Sequence, residues 1–344
     1  MLASSKTAWK EAKGDLTSLQ SMVGPHLQAL EKFLAREAEE FEPEIRELVE
    51  YCLQAGGKRI RASLAFLGGW REFDQVQDEL VRLAAVVELV HLATLVHDDI
   101  LDSADTRHNR ITAARKFGSS TAVLLGDALF AQAVHLSTRF DTPEVCRQVA
   151  LATRRVCVGE ITQTLRSESK TLGIQEYYRI IDLKTAELFA VSCRLGALLA
   201  GYPEEYVTAV SEFGRRLGIG YQIYDDLVDF FGKEEKAGKT LGTDLQSGKL
   251  TLPLILLSEK LDEDGRKELY EDLRKGDETK IAVRTAEMVE RGVFDAVVAA
   301  ITEETDMAAA ALEPFLNEPP SRPLLQLIDR LRAQIQALRS DGGL

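Results

Sequence analysis

Two long apolar stretches of this chain end in the same acidic pattern, Asp98-Asp99-Ile100-Leu101-Asp102 and Asp225-Asp226-Leu227-Val228-Asp229. Each sets its first and last aspartate at i and i+4, which on a helix stacks two carboxylates on one face. Like charges at that spacing weaken a helix by roughly 0.2–0.5 kcal/mol, so the pattern calls for a cation between them. Charge at the rim of a hydrophobic core is costly unless it is solvated or functional. Hard oxygen donors suit Mg²⁺, which keeps several waters and binds through a few carboxylates plus substrate phosphates. One acidic cluster alone reads equally well as a solvated patch. Two copies facing one another would form a cage for metal ions and a diphosphate.

The surroundings constrain the fold. At 100° per residue, His91, Thr94, Asp98 and Asp102 share a stripe that Val87 continues, below which lies the apolar run Leu83–Val90. Gln222, Asp225 and Asp229 form a second stripe. A polar rim above an apolar shaft suits a substrate with a charged head and a hydrocarbon tail. Strand-type alternation is nearly absent, and stretches rich in Ala, Leu, Glu, Arg and Lys recur throughout, so the fold class is all-α. Helices are expected over 15–55 with breaks near Pro25 and Pro43, then 60–66, 75–102, 121–140, 143–170, 174–201, 203–230 and 250–260. A polar loop and a short helix fill 103–120, an exposed glycine- and lysine-rich loop spans Phe231 to Lys249, and shorter, more charged helices follow over 263–344. Nothing in between has the composition of a linker, so 1–344 reads as one helical-bundle domain.

With 344 residues, 45% of them hydrophobic, the chain has enough apolar surface for a large core. Its net charge of -13 argues against a nucleic-acid partner. Cys52, Cys146, Cys157 and Cys193 lie in apolar helical contexts without CxxC spacing and read as buried free thiols. The N-terminal residues lack a long apolar run, and no stretch reaches the ~18 uninterrupted apolar residues of a membrane span. A cytoplasmic protein is expected.

Cations gather where loops leave helices. Gly56-Gly57-Lys58-Arg59-Ile60-Arg61 sets flexible backbone before three positive charges at a helix start, an anion-binding arrangement. Arg107 follows the first aspartate cluster, Lys184-Thr185 lies within a helix, and Lys239 and Lys249 flank the glycine-rich loop. Any one of these alone reads as ordinary surface charge; the association with both aspartate clusters does not.

In order and spacing, GGKRIR (56–61), HLATLVHDDILDSADTR (91–107), GEITQ (159–163), KTAELF (184–189) and GYQIYDDLVDFFGKEEKAGKTLGTDLQSGKLTLP (220–253) resemble the trans-isoprenyl diphosphate synthases, the polyprenyl synthetase family. The resemblance implies an all-α bundle around a deep central cavity, assembled as a homodimer. It implies that Asp98, Asp99, Asp102, Asp225, Asp226 and Asp229 hold Mg²⁺, commonly three ions, on an allylic diphosphate gripped by Arg107, Lys184 and Lys239. Lys58, Arg61 and His91 match residues that hold isopentenyl diphosphate. Thr185 and Gln222 match oxygens that stabilise an allylic cation. A class I terpene cyclase is a second reading, opposed by the intact second aspartate cluster. A regulatory subunit of a heteromeric synthase is a third.

The chain departs from the family pattern at Ala62, where proline often stands, at Asn109, where glycine is common, and at His108. The family's second arginine, a contact for isopentenyl diphosphate, belongs at 108. A histidine keeps one donor but loses the bidentate fork and is partly charged at neutral pH, so weaker binding of that substrate is expected. In relatives, bulky residues four and five positions before the first cluster cap the tail cavity. Here Thr94 and Ala93 stand there, and Val90, Val87 and Leu83 continue the stripe without an aromatic. At about 1.5 Å per residue, Asp98 to Leu83 spans roughly 22 Å. That suits a product of C30 or longer, with geranylgeranyl and farnesyl diphosphates as alternatives. Phe130, Phe189 and Phe66 are candidates for a floor.

Overall fold

The computed structural model describes residues 16–54, 57–71, 76–107, 110–169, 172–234 and 241–342. The first helix, α1 (Leu16–Glu39), runs straight through Pro25, where the sequence suggests a break. An interior proline costs about 3 kcal/mol. Val23, Leu30 and Leu34 are buried on the same helix, each supplying roughly 1.5–3 kcal/mol, so burial outweighs the lost hydrogen bond. Pro43 instead opens α2 (Pro43–Leu53), where its missing N–H has no helical partner to lose. There follow α3 (Ile60–Gly68) and α4 (Asp78–Leu101), the latter ending in the first aspartate cluster.

Among the described residues α4 is the one helix long and apolar enough to cross a membrane, and two thirds of its most apolar window is buried inside the bundle. Leu83 through Val90 lie at or below 5% exposure. A helix apolar on every side must be surrounded, and α1, α3 and a later helix, α6 (Ser119–Ser137), pack around it. Between α4 and α6 the chain forms a two-stranded antiparallel hairpin, β1 (Thr106–Arg107) and β2 (Arg110–Ile111), in register Arg107↔Arg110, and then α5 (Ala113–Phe117). This hairpin had no signature in the alternation pattern.

The second half of the bundle comprises α7 (Pro143–Ser169), α8 (Ile174–Ile181), α9 (Glu187–Leu199) and α10 (Glu204–Phe231). The helix expected over 174–201 is interrupted by a π turn at Asp182–Ala186, the segment that carries Lys184 and Thr185. Two glycines let neighbouring backbones press on it. A Cβ at Gly159 of α7 would lie 2.7 Å from the Lys184 nitrogen, and one at Gly218 of α10 would lie 2.7 Å from the Ala186 Cα.

The segment expected to be a fully exposed loop contains a short helix, α11 (Thr243–Gln246), with Leu245 completely buried. Beyond it come α12 (Leu252–Lys260), α13 (Glu263–Lys275), α14 (Ile281–Glu290), α15 (Val293–Leu312) and α16 (Ser321–Gly342). The charged composition of this region understated its packing. α15 buries Val293, Val297, Ile301, Ala308 and Leu312 and lies along α10. The cysteines also divide: Cys52 and Cys193 are buried, Cys146 is half-buried and Cys157 is exposed.

Candidate active site

The C-terminal ends of α4 and α10 bring the two acidic clusters to opposite walls of a cavity of about 1090 Å³. All six aspartates line it, as do Lys58, Arg61, His91, Arg107, Lys184, Thr185, Gln222 and Lys249. His108 and Lys239 fall outside the described residues.

On the first wall Lys184 Nζ pairs with Glu160 Oε2 at 2.5 Å, approaches Asp98 Oδ2 at 3.7 Å and donates to Gln163 Oε1 at 2.9 Å. Burial raises the Asp98 carboxyl to about 6, with Glu160 and Asp102 adding to the rise while Lys184 and Arg107 oppose it. Burial works against the Lys184 ammonium, but Asp98 and Glu160 more than offset it and its pKa is raised. Asp99 is buried and accepts from Arg107 Nε at 2.7 Å. Asp102 holds Lys249 through both oxygens, at 2.6 and 2.7 Å. The sequence placed Lys249 only beside a loop; the fold returns it to the first cluster.

On the second wall the middle aspartate is again drawn inward. Asp226 accepts from Tyr177 Oη at 2.5 Å and from Gln222 Nε2 at 2.8 Å. Thr185 Oγ1 donates to Gln222 Oε1 at 2.7 Å, so one chain of hydrogen bonds ties the π turn to α10. Asp229 accepts from the backbone N–H and hydroxyl of Thr243, at 3.3 and 3.0 Å, and from the N–H of Asp244 at 3.0 Å. It therefore caps α11, from whose end Lys249 reaches Asp102. Asp225 lines the cavity beside them.

No three Asp, Glu, His or Cys side chains converge on a single ion position among the described residues. The donors are nonetheless all hard oxygens, and burial, with a smaller contribution from Glu160 and Asp102, raises the Asp98 carboxyl, a cost to its ionised form that a bound cation would relieve. Carboxylates on two walls fit divalent ions that complete their shells with phosphate oxygens and water.

At the third wall the expected anion site at the start of α3 is already capped. Glu88 Oε1 accepts from the Ala62 N–H at 3.1 Å, and its other oxygen pairs with Arg59 at 3.0 Å. Anion binding there falls to side chains. The Arg61 guanidinium lies 5.1 Å from the Phe189 ring centroid, and its Nε has no hydrogen-bond partner.

The expected shaft takes another route. Ala93, Val90, Val87 and Leu83 are buried at 0–1% and do not line the cavity, because α4 is packed on that side by the bundle. The apolar wall instead passes Thr94, Leu95 and His97 to Phe130 of α6, whose ring lies 5.8 Å from that of His97. Thr94 satisfies its hydroxyl on the His91 carbonyl at 2.6 Å, so it makes no polar demand on a hydrocarbon neighbour. Of the three aromatic candidates for a floor, Phe130 lines the cavity, whereas Phe66 and Phe189 are core residues.

Glu160, Gln163, Tyr177 and Arg110 are site residues that motif reading did not single out. Glu160 and Gln163 stood in a matched stretch and could have been found. Tyr177 had no signal beyond its place on an amphipathic helix.

The polyprenyl synthetase profile matches residues 42–289. The chain belongs to that family. It is 39% identical over 241 residues to the heptaprenyl diphosphate synthase component 2 of Geobacillus stearothermophilus, covering 70% of this chain and 75% of the relative. It is 34% identical to the geranylgeranyl diphosphate synthase of Methanosarcina mazei, covering 83% and 88%. A crystal structure of the Caulobacter crescentus polyprenyl synthase, complexed with calcium and isoprenyl diphosphate, superposes with TM-score 0.85 at 30% identity, covering 92% and 97%. The chain is thus a trans-prenyltransferase acting on isoprenyl diphosphates, in a family that uses divalent metal ions.

Proposed function

We propose that this enzyme is a Mg²⁺-dependent synthase that condenses isopentenyl diphosphate head to tail with an allylic diphosphate, giving a trans-polyprenyl diphosphate of C30 or longer. The observation that carries the reading is the pair of aspartate walls facing across one cavity that continues into an apolar wall. Mg²⁺, about three ions by family resemblance, would supply positive charge to the departing diphosphate from Asp98, Asp102 and Asp225. Lys184 and Arg107, held by carboxylates beside the cage, add fixed positive charge where the C–O bond ionises. Thr185 and Gln222 present oxygens to the allylic cation. Lys58, Arg61 and His91 orient isopentenyl diphosphate so that its double bond attacks C1 of the cation. The new carbocation then loses a proton to the departing diphosphate, and the walls of the cavity exclude water that would quench the first cation.

The product length rests on the small Thr94 and on the heptaprenyl relative; the geranylgeranyl relative supports the shorter alternative. Incubation with Mg²⁺, labelled isopentenyl diphosphate and a series of allylic primers, followed by chromatography of dephosphorylated products, tests both points. Products ending at C15 would refute the long-chain assignment, and no elongation with any primer, either alone or with a second component added, would refute the activity.

The assembly is proposed to be a homodimer. Val158, Ile161 and Leu165 are exposed at helical spacing on α7, and Val123 and Leu124 are exposed on α6, which packs against it; exposed apolar residues grouped on one helix face suit an interaction surface. The name of the Geobacillus relative supports a second reading, in which the same surface binds a different subunit. Ile161→Asp should convert the protein to a monomer in light scattering. A purified chain that is monomeric and inactive until a second component is added would favour the heteromer.

A further inference from the structure

Most cations around the cavity are already committed to carboxylates. Lys184 carries Glu160, Arg107 carries Asp99, Lys249 carries Asp102, and Arg166 pairs with Glu176 at 2.5 Å. Arg110 also lines the cavity, yet it pairs with no carboxylate among the described residues. Its guanidinium lies 4.6 Å from the ring centroid of Tyr51, a residue of the same cavity wall. Tyr51 is itself anchored, because its hydroxyl donates to the Ile111 carbonyl at 2.6 Å and Phe117 meets its ring edge-on at 5.4 Å. A guanidinium stacked on a fixed ring is oriented without being neutralised.

The hairpin register decides where that charge sits. Arg107 and Arg110 are directly opposed across the antiparallel pair, and opposed residues project from the same face. Arg107 reaches toward the first aspartate cluster. From that shared face Arg110 lies over Tyr51, near the end of α2, whose chain leads on to Lys58 and Arg61. Two positions earlier, at 108, the sequence carries histidine where the family resemblance implies an arginine that contacts isopentenyl diphosphate.

We propose that Arg110 is a substrate-binding residue, supplying to the diphosphate of isopentenyl diphosphate the guanidinium that position 108 lacks. The inference rests on the proposed condensation for its substrate, while the measurement that tests it does not require turnover. A planar fork gives phosphate oxygens two parallel N–H bonds, which a lysine or a histidine cannot reproduce.

Calorimetric titration of isopentenyl diphosphate into wild type and Arg110→Gln should show affinity falling about tenfold or more. In steady state the same variant should raise KM for isopentenyl diphosphate to a similar degree while kcat and the allylic KM stay within about twofold. Arg110→Lys, which keeps charge but loses the fork, should fall between. Equal dissociation constants for wild type and Arg110→Gln would overturn the proposal, and so would an equal rise in the allylic KM, since a general field at the mouth would act on both substrates. Should Arg110→Gln fail to fold, Arg110→Lys and Tyr51→Leu carry the same comparison, and unchanged affinity in both would also overturn it. A wild-type enzyme that binds isopentenyl diphosphate but elongates no primer, either alone or with a second component added, would refute the catalytic reading and leave the Arg110 comparison standing.

Discussion

Asp98 carries two opposed roles in one side chain. Its carboxyl is raised to about 6 by burial and by the nearby Glu160 and Asp102, so the ionised form that would bind metal is also the form that strains the fold. A folded-state pKa above the unfolded value means that ionised Asp98 disfavours folding at high pH, and that this burden fades as pH falls from about 6 toward the ordinary aspartate range. Asp98→Asn should therefore raise the melting temperature at pH 8, with the gain shrinking toward pH 4, while kcat drops by about a hundredfold or more. Thermal melts across pH beside kinetic assays check this. A variant with near-normal turnover would remove Asp98 from the metal cage. The middle aspartates differ in kind: Asp99 and Asp226 are buried against Arg107, Tyr177 and Gln222, so their substitution should cost stability as well as rate.

The π turn Asp182–Ala186 is where one element's geometry serves the chemistry. A π turn is disfavoured locally and recurs at functional sites, so it needs external restraint. Arg215 of α10 bridges its two ends, binding Asp182 at the start and Glu187, at 2.9 Å, just after it. Arg155 of α7 also grips Glu187, at 3.0 Å. Removing one partner from a buried carboxylate costs about 1–3 kcal/mol, lessened here because Arg155 remains and Arg215 is a quarter exposed. Arg215→Gln should lower the melting temperature slightly but reduce kcat roughly ten- to a hundredfold, since small misplacement of Lys184 and Thr185 is amplified in rate. KM for isopentenyl diphosphate should hardly change, and Arg215→Lys should restore part of kcat. A loss of stability with kcat intact would reduce the clamp to a structural tie.

At the scale of the whole molecule, the cavity's route through the bundle sets what length of hydrocarbon fits. That route runs past Thr94 and Leu95 toward Phe130, not down the buried stripe of Val90 and Val87. Thr94→Phe should shorten the product sharply, and Phe130→Ala should lengthen it by opening the α6 side. Ala93→Phe, which the sequence alone would rank beside Thr94→Phe, should act mainly through overpacking, costing about 1–3 kcal/mol. Product profiles and melting curves for the three variants separate these outcomes; an unchanged profile in both Thr94→Phe and Phe130→Ala would place the floor elsewhere.

Local rules were enough for most of the helices and for the two acid clusters, and they marked the cations without placing them. Helical period and the repulsion between Asp98 and Asp102 are properties of neighbouring residues, and the motifs from Gly56 to Pro253 kept their order in sequence. What the sequence could not decide depends on packing between distant segments. Pro25 stays inside α1 because Val23, Leu30 and Leu34 are buried by other helices. The helix over 174–201 breaks into a π turn because Gly159, Gly218 and Arg215 close on it from α7 and α10. Periodicity identifies which residues share a face, yet only the neighbours of that face determine whether it meets protein or cavity. Thus Thr94 lines the cavity while Val87, on the same stripe, lies in the core.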